Sequence, residues 1–336
     1  MTIDDIAKKA GVSTATVSRV LNNSSSVTPK TRQKVQRVIE ESGYIPNVLA
    51  RSLSIQSTRS IAVLVADIEN PYFSQALRGI TQVADENDYN VLLLNTDEDL
   101  RREHRCLKAV AQQQQPEGII ITPVSYKDQQ TGAVLEEFER RGVPVILLDR
   151  LIEGYSFGSV LAENRKGAYE AVRELIRVGH TRIAIIKGSE EKWPVTERWL
   201  GYQDAMQEAG LLIQPEYVCS ADQKSRLAHL ATGRLMKLDA PPTAIFTCNS
   251  SMTLGCLGYL TEHGLRVPQD VAVVGFDEID DLRQVGYPLS VVDRSPVEMG
   301  RLAMKMILSR LADMKTPKET QTISTRLILR GSERHN

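Results

Sequence analysis

An all-α helix-turn-helix head followed by an α/β body is the fold class this sequence predicts, and three observations predict it. Residues 2–43 hold three short amphipathic helical patterns, with room for only a tight turn between the first two. Beyond residue 60, short apolar runs alternate with amphipathic helical stretches, the pattern of parallel sheets covered by helices. Charge is also divided. Residues 1–60 contain nine Lys/Arg and four Asp/Glu, a net +5, whereas the 336-residue chain carries −1, leaving −6 for the remainder.

Three helical segments make up the head. Thr2 and Asp5 have the spacing of a capping box at the start of a first helix. Ile3, Ile6, Ala7 and Ala10 give that helix one apolar face. Gly11 ends it, because glycine tolerates the left-handed conformation at a helix exit. Ser13 caps a second helix in which Val12, Val17, Val20 and Leu21 face inward. Thr14, Thr16, Ser18, Arg19 and Asn22 are left largely outward. These short polar side chains, with one arginine able to pair bidentately with guanine, suit a DNA major groove. Thr14 and Ala15 lie at the amino end, where a recognition helix meets bases. Thr28 and Pro29 open a third helix with Val35, Val38 and Ile39 as its inner stripe. Lys30, Arg32, Lys34 and Arg37 stay in water, and Gly43 closes the helix.

A basic solvated face on a three-helix bundle would account for the charge taken alone. Turn spacing, the polar second helix and the charge together favour phosphate binding. The next segment, Pro46–Leu53, reads as a very short helix capped by Asn47. A helix this short is marginal by itself, since nucleation is costly. Leu49 and Leu53 stand one turn apart with no obvious core to enter. A DNA minor groove would accept an apolar wedge there; a plain linker is the alternative.

The body is long enough for two lobes of ordinary size. Its apolar runs are Ile61–Ala66, Val91–Leu94, Gly118–Ile121, Val143–Leu148, Ile183–Ile186, Ala244–Phe246 and Val271–Gly275. Ligands of such sheets bind beyond the carboxyl ends of the strands. Asp67, Asp149, Arg150, Asn249 and Asp277 occupy those ends. Asn70-Pro71 caps and starts the helix after the first run. Asp149 and Asp277 equally fit the simpler role of capping helices. Gln112–Gln115 reads as the exposed end of a helix before the Glu117–Ile121 strand.

Several motifs carry a resemblance that runs along essentially the whole chain. They are Ile3 with Asp5-Ile6-Ala7, Gly11-Val12-Ser13, Thr16-Val17-Ser18-Arg19-Val20-Leu21-Asn22, Val27-Thr28 with Thr31-Arg32 and Val35, Gly43-Tyr44-Ile45-Pro46-Asn47 and Ala50-Arg51-Ser52-Leu53. In the body they continue with Asn70-Pro71-Tyr72-Phe73, Gly179-His180, Arg198, Gly201-Tyr202, Pro242–Phe246, Gly275-Phe276-Asp277 and Leu327-Ile328. Together they resemble the lac/galactose repressor (LacI/GalR) family of bacterial transcription factors.

The resemblance implies a body of two Rossmann-like lobes of the periplasmic-binding-protein type, joined by three crossovers. It implies a DNA-binding domain over 1–45, a hinge helix and linker over 46–59, and an effector-binding and dimerisation domain over 60–336. The first lobe would comprise 60–159 and 291–318, the second 160–290 and 319–333. DNA contacts would come from Ser13, Thr14, Ala15, Thr16, Ser18, Arg19 and Asn22, with Ala50 and Leu53 of the hinge helix. The effector cleft would hold Tyr72, Phe73, Asp149 and Arg150 on one side and Lys192, Arg198, Asn249 and Asp277 on the other. An aromatic face there would pack against a sugar ring. Three departures from the family pattern bear on the effector: Asn249-Ser250, Glu163-Asn164, and Asp222 where many members have an aromatic ring. The last, which loses a ring and gains a carboxylate, favours a polar, sugar-like ligand over a purine. Lys192, Arg150 and Arg198 would suit the phosphate or carboxylate of a sugar phosphate or sugar acid.

Other function classes fit the sequence poorly. No phosphate-cradling loop, nucleophile elbow or zinc-binding histidine pair is present, so no enzyme, cofactor or metal is expected. Cys106, Cys219, Cys248 and Cys256 lack metal or disulfide spacing. No apolar run approaches the ~20 residues that span a membrane, and the amino end does not read as a signal peptide. These features predict a cytoplasmic protein, and the resemblance implies a repressor, with a corepressor-dependent or activating member of the same family as the alternative and a solute-binding protein as the alternative outside it. The repressor would pair as a homodimer on two-fold operator duplex DNA and be controlled by a sugar, sugar acid or sugar phosphate.

Overall fold

The computed structural model describes residues 2–21, 26–43, 58–222 and 224–334. The chain divides into two compact units, Met1–Thr58 and Arg59–Asn336. Asn22 and the expected hinge helix with Ala50 and Leu53 lie outside the described residues.

The first unit packs three helices, α1 (Ile3–Ala10), α2 (Thr14–Leu21) and α3 (Pro29–Ser42). Thr2 and Asp5 form the reciprocal capping box, and Gly11 takes the left-handed exit at φ 56°. Thr28 caps α3 by accepting the Thr31 N–H at 3.3 Å, with Pro29 in the first turn. Ile6, Ala7, Ala10, Val17, Val20 and Val35 fill the core between the helices. Few apolar side chains are available to a unit this small, so the caps fix where each helix starts and stops.

The second unit contains two six-stranded sheets. The first is built from β1 (Ser60–Val65), β2 (Asn90–Asn95), β3 (Gly118–Ile121), β4 (Val145–Leu148), β5 (Gly158–Ala162) and β11 (Thr320–Ile323), in the order β11-β5-β4-β3-β1-β2. All of its pairings are parallel. The second is built from β6 (Ile183–Lys187), β7 (Val218–Ser220), β8 (Ala244–Thr247), β9 (Ala272–Phe276), β10 (Ser290–Asp293) and β12 (Arg326–Ile328), in the order β12-β10-β9-β8-β6-β7. Only its β10–β12 pairing is antiparallel. The central strands β3, β4, β6, β8 and β9 are buried along their whole length. That burial is why they read as unbroken apolar runs.

Helices cover both faces of the first sheet. They are α4 (Pro71–Glu86), α5 (Leu100–Ala109), α6 (Gln129–Arg140) and α12 (Pro296–Ala312). Around the second lie α7 (Asn164–Arg177), α8 (Trp193–Glu208), α9 (Ser225–Leu235), α10 (Ser250–Glu262) and the short α11 (Asp280–Gln284). The glutamine tract continues α5 as a single π-helical turn, Val110–Gln114.

The chain crosses between the lobes three times, after β5, after β10 and after β11. The expected lobe boundaries need correction at each crossing. β5 runs to Ala162 within the first sheet, and β10 keeps Ser290–Asp293 in the second. Residues 319–333 do not all belong to the second lobe, because Thr320–Ile323 pairs in register with Ser159–Ala162 of the first. β11 is an edge strand that alternates exposed and half-buried residues. Its backbone pairing, not an apolar run, attaches it.

Where α4 meets α12, two glycines let the backbones touch. A Cβ at Gly79 would stand 2.0 Å from the Val297 carbonyl oxygen, and one at Gly300 1.9 Å from that of Ala76. Since α12 begins just after the second crossing, this contact seats the helix that leads away from it. Gly300→Val should therefore destabilise the second unit by at least ~1–3 kcal/mol, the usual penalty of overpacking. Urea unfolding would report it, and an unchanged midpoint would contradict the close packing.

Candidate functional site

The first candidate surface is the outer face of α2. Ser13 accepts the Thr16 N–H at 3.2 Å and its hydroxyl lies 2.9 Å from that of Thr16. This cap fixes the amino end of the helix. Val17 and Val20 hold the inner side in the core. Ser13, Thr14, Ala15 and Arg19 are then exposed, while Thr16 and Ser18 are half-buried. A groove lined by Asp4, Ala7, Lys8, Gly11, Val12, Ser13 and Thr14 runs beside the turn. The face offers unpaired amide groups at a helix amino end, hydroxyls, a methyl group and a guanidinium, a set able to read base edges and phosphates.

The second candidate site lies between the two lobes, beyond the carboxyl ends of β4, β8 and β9. Asn70, Tyr72, Phe73, Asp149 and Arg150 line it from the first lobe, and Pro194, Val195, Arg198, Asn249 and Asp277 from the second. Arg294, in the crossing between β10 and α12, completes it. The space left between these side chains is only about 20 Å³, because they fill most of the cleft themselves.

Arg294 bonds to Asp149 of one lobe and, through Nε at 2.6 Å, to Asp277 of the other. All three are almost completely buried. Burial works against the Asp149 carboxylate, but Arg294, Arg198 and Arg150 outweigh it and hold its pKa below the usual value. Burial likewise opposes the Arg294 cation, and Asp149 and Asp277 raise its pKa well above the ordinary range. Both aspartates sit in left-handed backbone, at φ 68° and 76°. That geometry turns each carboxylate off its strand end, and neither serves as a helix cap.

Arg198 has a different environment. Its Nε donates to Asn164 at 2.8 Å and its Nη1 to the Cys248 carbonyl. The guanidinium lies over the Phe276 ring at 3.6 Å. Asp277 is 3.9 Å away, while Nη2 is buried without a hydrogen-bond partner. Burial first, and then the repulsion of Arg294, push its pKa down to about 10.

A second ionic group closes the rim. Glu98, in the loop after β2, bonds to both terminal nitrogens of Arg150 at 2.9 and 2.7 Å and to Lys192 at 3.0 Å. Burial would raise the Glu98 carboxyl, yet Arg150 and Lys192 hold it at about 2. Since Lys192 belongs to the second lobe, this group ties the lobes together. So do Tyr126 N–H donating to the Glu191 carbonyl at 2.8 Å, Ser250 donating to Asn70 at 3.3 Å, and Gln75 donating to Asp280 at 3.0 Å.

These contacts change the reading of several expected site residues. Seven of the eight line the cleft, but Lys192 stands at the rim and does not converge with Arg198 on one anion. Arg150 and Lys192 instead share Glu98. The Tyr72 ring is already covered, with the Arg294 guanidinium 3.9 Å from its centre, and its hydroxyl donates to Met299 sulfur at 3.2 Å. Asn249 caps α10 by accepting the Met252 N–H at 2.8 Å as well as lining the cleft. Asp67 accepts the Glu69 N–H and takes no part. Sequence reasoning missed Arg294 and Glu98. Arg294 carries a weaker signal than Asp149: it follows the strand Ser290–Asp293 directly, but the polar Asp293 separates it from the short apolar pair Val291-Val292.

Among the described residues there is no cluster of side chains suited to a metal. The four cysteines are free thiols, and burial pushes Cys248 and Cys256 up to about 12, so neither is a thiolate near neutral pH. No described helix is long and apolar enough to cross a membrane.

Comparison with known proteins matches residues 2–47 to "Bacterial regulatory proteins, lacI family" and residues 172–333 to "Periplasmic binding protein-like domain". The "Ribose operon repressor" of Haemophilus influenzae is 30% identical over 331 residues, covering 98% of this chain and 98% of that protein. The "HTH-type transcriptional repressor PurR" of Haemophilus influenzae strain PittEE is 33% identical over 317 residues, covering 92% and 91%. Among solved structures, a lac repressor dimer bound to operator and the anti-inducer ONPF is 27% identical. It superposes with a TM-score of 0.88 over 100% of this chain and 99% of that one.

The buried ion triad makes a quantitative prediction. Arg294→Met leaves two buried carboxylates facing each other and should lower stability by ~3–5 kcal/mol. The deficit should be largest near neutral pH and shrink as falling pH protonates the two aspartates, because their pKa values in the folded variant would be raised. Combining Arg294→Met with Asp149→Asn and Asp277→Asn should recover most of it. Denaturant unfolding against pH checks both, and a pH-independent deficit would contradict the charge argument.

Proposed function

The chain belongs to the lacI family of bacterial regulatory proteins, and from that premise we propose that it represses transcription by holding operator DNA under the control of a small molecule in its interlobe cleft. It is a DNA-binding regulator and not an enzyme. The observation that carries the proposal is the pairing of two separate chemistries in one chain. One is the outward polar face of α2; the other is a buried cleft lined by charged groups from both lobes.

Thr14, Ala15 and Arg19 read base edges, with Ser13, Thr16, Ser18 and Asn22 supplying phosphate and edge contacts. A single such module offers few base contacts, so two copies act together on a two-fold site. The operator-bound lac repressor dimer supports that arrangement. Ala50 and Leu53 contribute from the hinge segment, Leu53 as a wedge in the minor groove. The effector meets Phe73, Asp149, Arg150, Arg198, Asn249 and Asp277, with Lys192 at the rim and Tyr72 behind the Arg294 guanidinium that covers its ring. Sugar-like ligands fit this polar lining, and the ribose operon repressor is a relative of matching length. Action on a bacterial operator supports a cytoplasmic location.

Effector and operator affect each other reciprocally, by ~1–3 kcal/mol for a typical coupling. The effector must bind one lobe arrangement better than the other.

Mobility-shift titrations test the assignments. Arg19→Ala should weaken operator binding by ~1–3 kcal/mol, about 5- to 150-fold, with helical content unchanged because Arg19 is exposed. Leu53→Ala should weaken operator binding and leave effector affinity unchanged. Arg198→Ala should bind operator and no longer respond to effector. A normally responsive Arg198→Ala would remove the cleft from the mechanism.

A further inference from the structure

The first lobe carries a groove, separate from the interlobe cleft, that runs between α5 and α6. Its volume is about 480 Å³, a size suited to a small organic ligand. Buried Leu107 and Phe138 form the floor, with half-buried Val134 and exposed Ala111 beside them. Leu107 and Ala111, and likewise Val134 and Phe138, stand one helical turn apart, so each helix presents an apolar stripe to the groove. Polar ties at the amino ends fix the spacing of the two helices. His104 Nε2 lies 2.7 Å from the Asp128 carboxylate, and the Thr131 hydroxyl donates to Glu103 at 2.7 Å. Beyond α5, the π-helical turn Val110–Gln114 carries Ala111 and Gln112 into the lining. Such turns are rare and recur at functional sites.

Charge on this groove is one-sided. Arg105, Lys108 and Arg141 line it against the single carboxylate of Glu137. Glu137 is taken by Arg141 at 2.7 Å and by Arg140 at 2.5 Å. Asp128 is taken by His104, and Glu103 is buried behind, bonded to Thr131 and to the Val124 N–H. Arg105 and Lys108 are exposed, and among the described residues neither makes an ion pair. They stand three positions apart on one face of α5, above the apolar floor. We propose that this groove is a second ligand site and takes a medium-chain acyl carboxylate. The acyl chain covers Leu107, Val134 and Phe138, and the carboxylate meets Arg105 and Lys108. An uncharged apolar molecule gains the burial without the pairing, and a small anion gains the pairing without the burial.

Isothermal titration calorimetry of the full chain at constant ionic strength, with octanoate, 1-octanol and acetate as probes, tests this. Octanoate should bind at least ~5-fold more tightly than 1-octanol, the modest gain of an ion contact at a partly exposed site, and acetate should bind more weakly than either. Arg105→Gln combined with Lys108→Gln should remove most of the preference for octanoate over 1-octanol. Both side chains are exposed, so this double variant should fold. Val134→Glu, which sets a carboxylate on the apolar floor, should weaken octanoate more than 1-octanol. If Val134→Glu does not fold, the double variant carries the test alone. Equal affinities for octanoate and 1-octanol would overturn the assignment of an anion. Octanoate binding indifferent to the double variant would place the ligand elsewhere and overturn the site. Absence of octanoate binding would overturn the proposal outright.

Discussion

The arrangement of the larger unit depends on one guanidinium held by two carboxylates. Arg294 reaches from a crossing between the lobes to Asp149 at the end of β4 and Asp277 at the end of β9. Neither lobe alone satisfies it. Because a half-broken buried ion group is strongly unfavourable, the closed arrangement is favoured while all three partners are in place. The rim group of Glu98, Arg150 and Lys192 acts in the same sense with partners from both lobes. Anything that alters these pairings alters the relative energies of lobe arrangements, and a conformational regulator requires that sensitivity.

The smaller unit answers to different physics. Its core is a handful of aliphatic side chains, so its helix ends are fixed by Thr2, Ser13, Thr28, Gly11 and Gly43. With the inward residues committed, the outer face of α2 is free to be chosen for recognition. Its basic charge supplies affinity for any duplex and the α2 side chains supply discrimination, a division common to DNA-reading proteins. The remaining chain is net acidic, so the chain's positive excess lies within residues 1–60.

Much of this was legible in the sequence because it is local. A hydroxyl three residues before a free amide, a glycine at a helix exit and an apolar run of four to six residues each carry their structure with them. Tyr72, Phe73, Asp149, Arg150, Arg198, Asn249 and Asp277 could be placed by position relative to such elements. Their partners could not. Arg294 meets Asp149 across 145 positions, and Arg150 meets Glu98 across 52, so no periodicity marks either pair. The consequence was an aromatic face on Tyr72 expected for a sugar and found covered by Arg294. Edge strand β11 escaped for a related reason: its half-exposed residues mimic a loop, and only its pairing with β5 reveals the lobe it joins.

If the Arg294 ion group sets the lobe arrangement, its ionic state also sets the grip on DNA. Arg294→Lys tests it most directly, since lysine keeps the charge and loses the planar fork that serves two carboxylates at once. Operator affinity of this variant and of the unaltered chain would be measured by fluorescence anisotropy in one buffer. A change of roughly fivefold or more is expected, within the range of ordinary allosteric coupling, with the helices of the DNA-binding unit intact. Equal affinities from two well-folded proteins would contradict it.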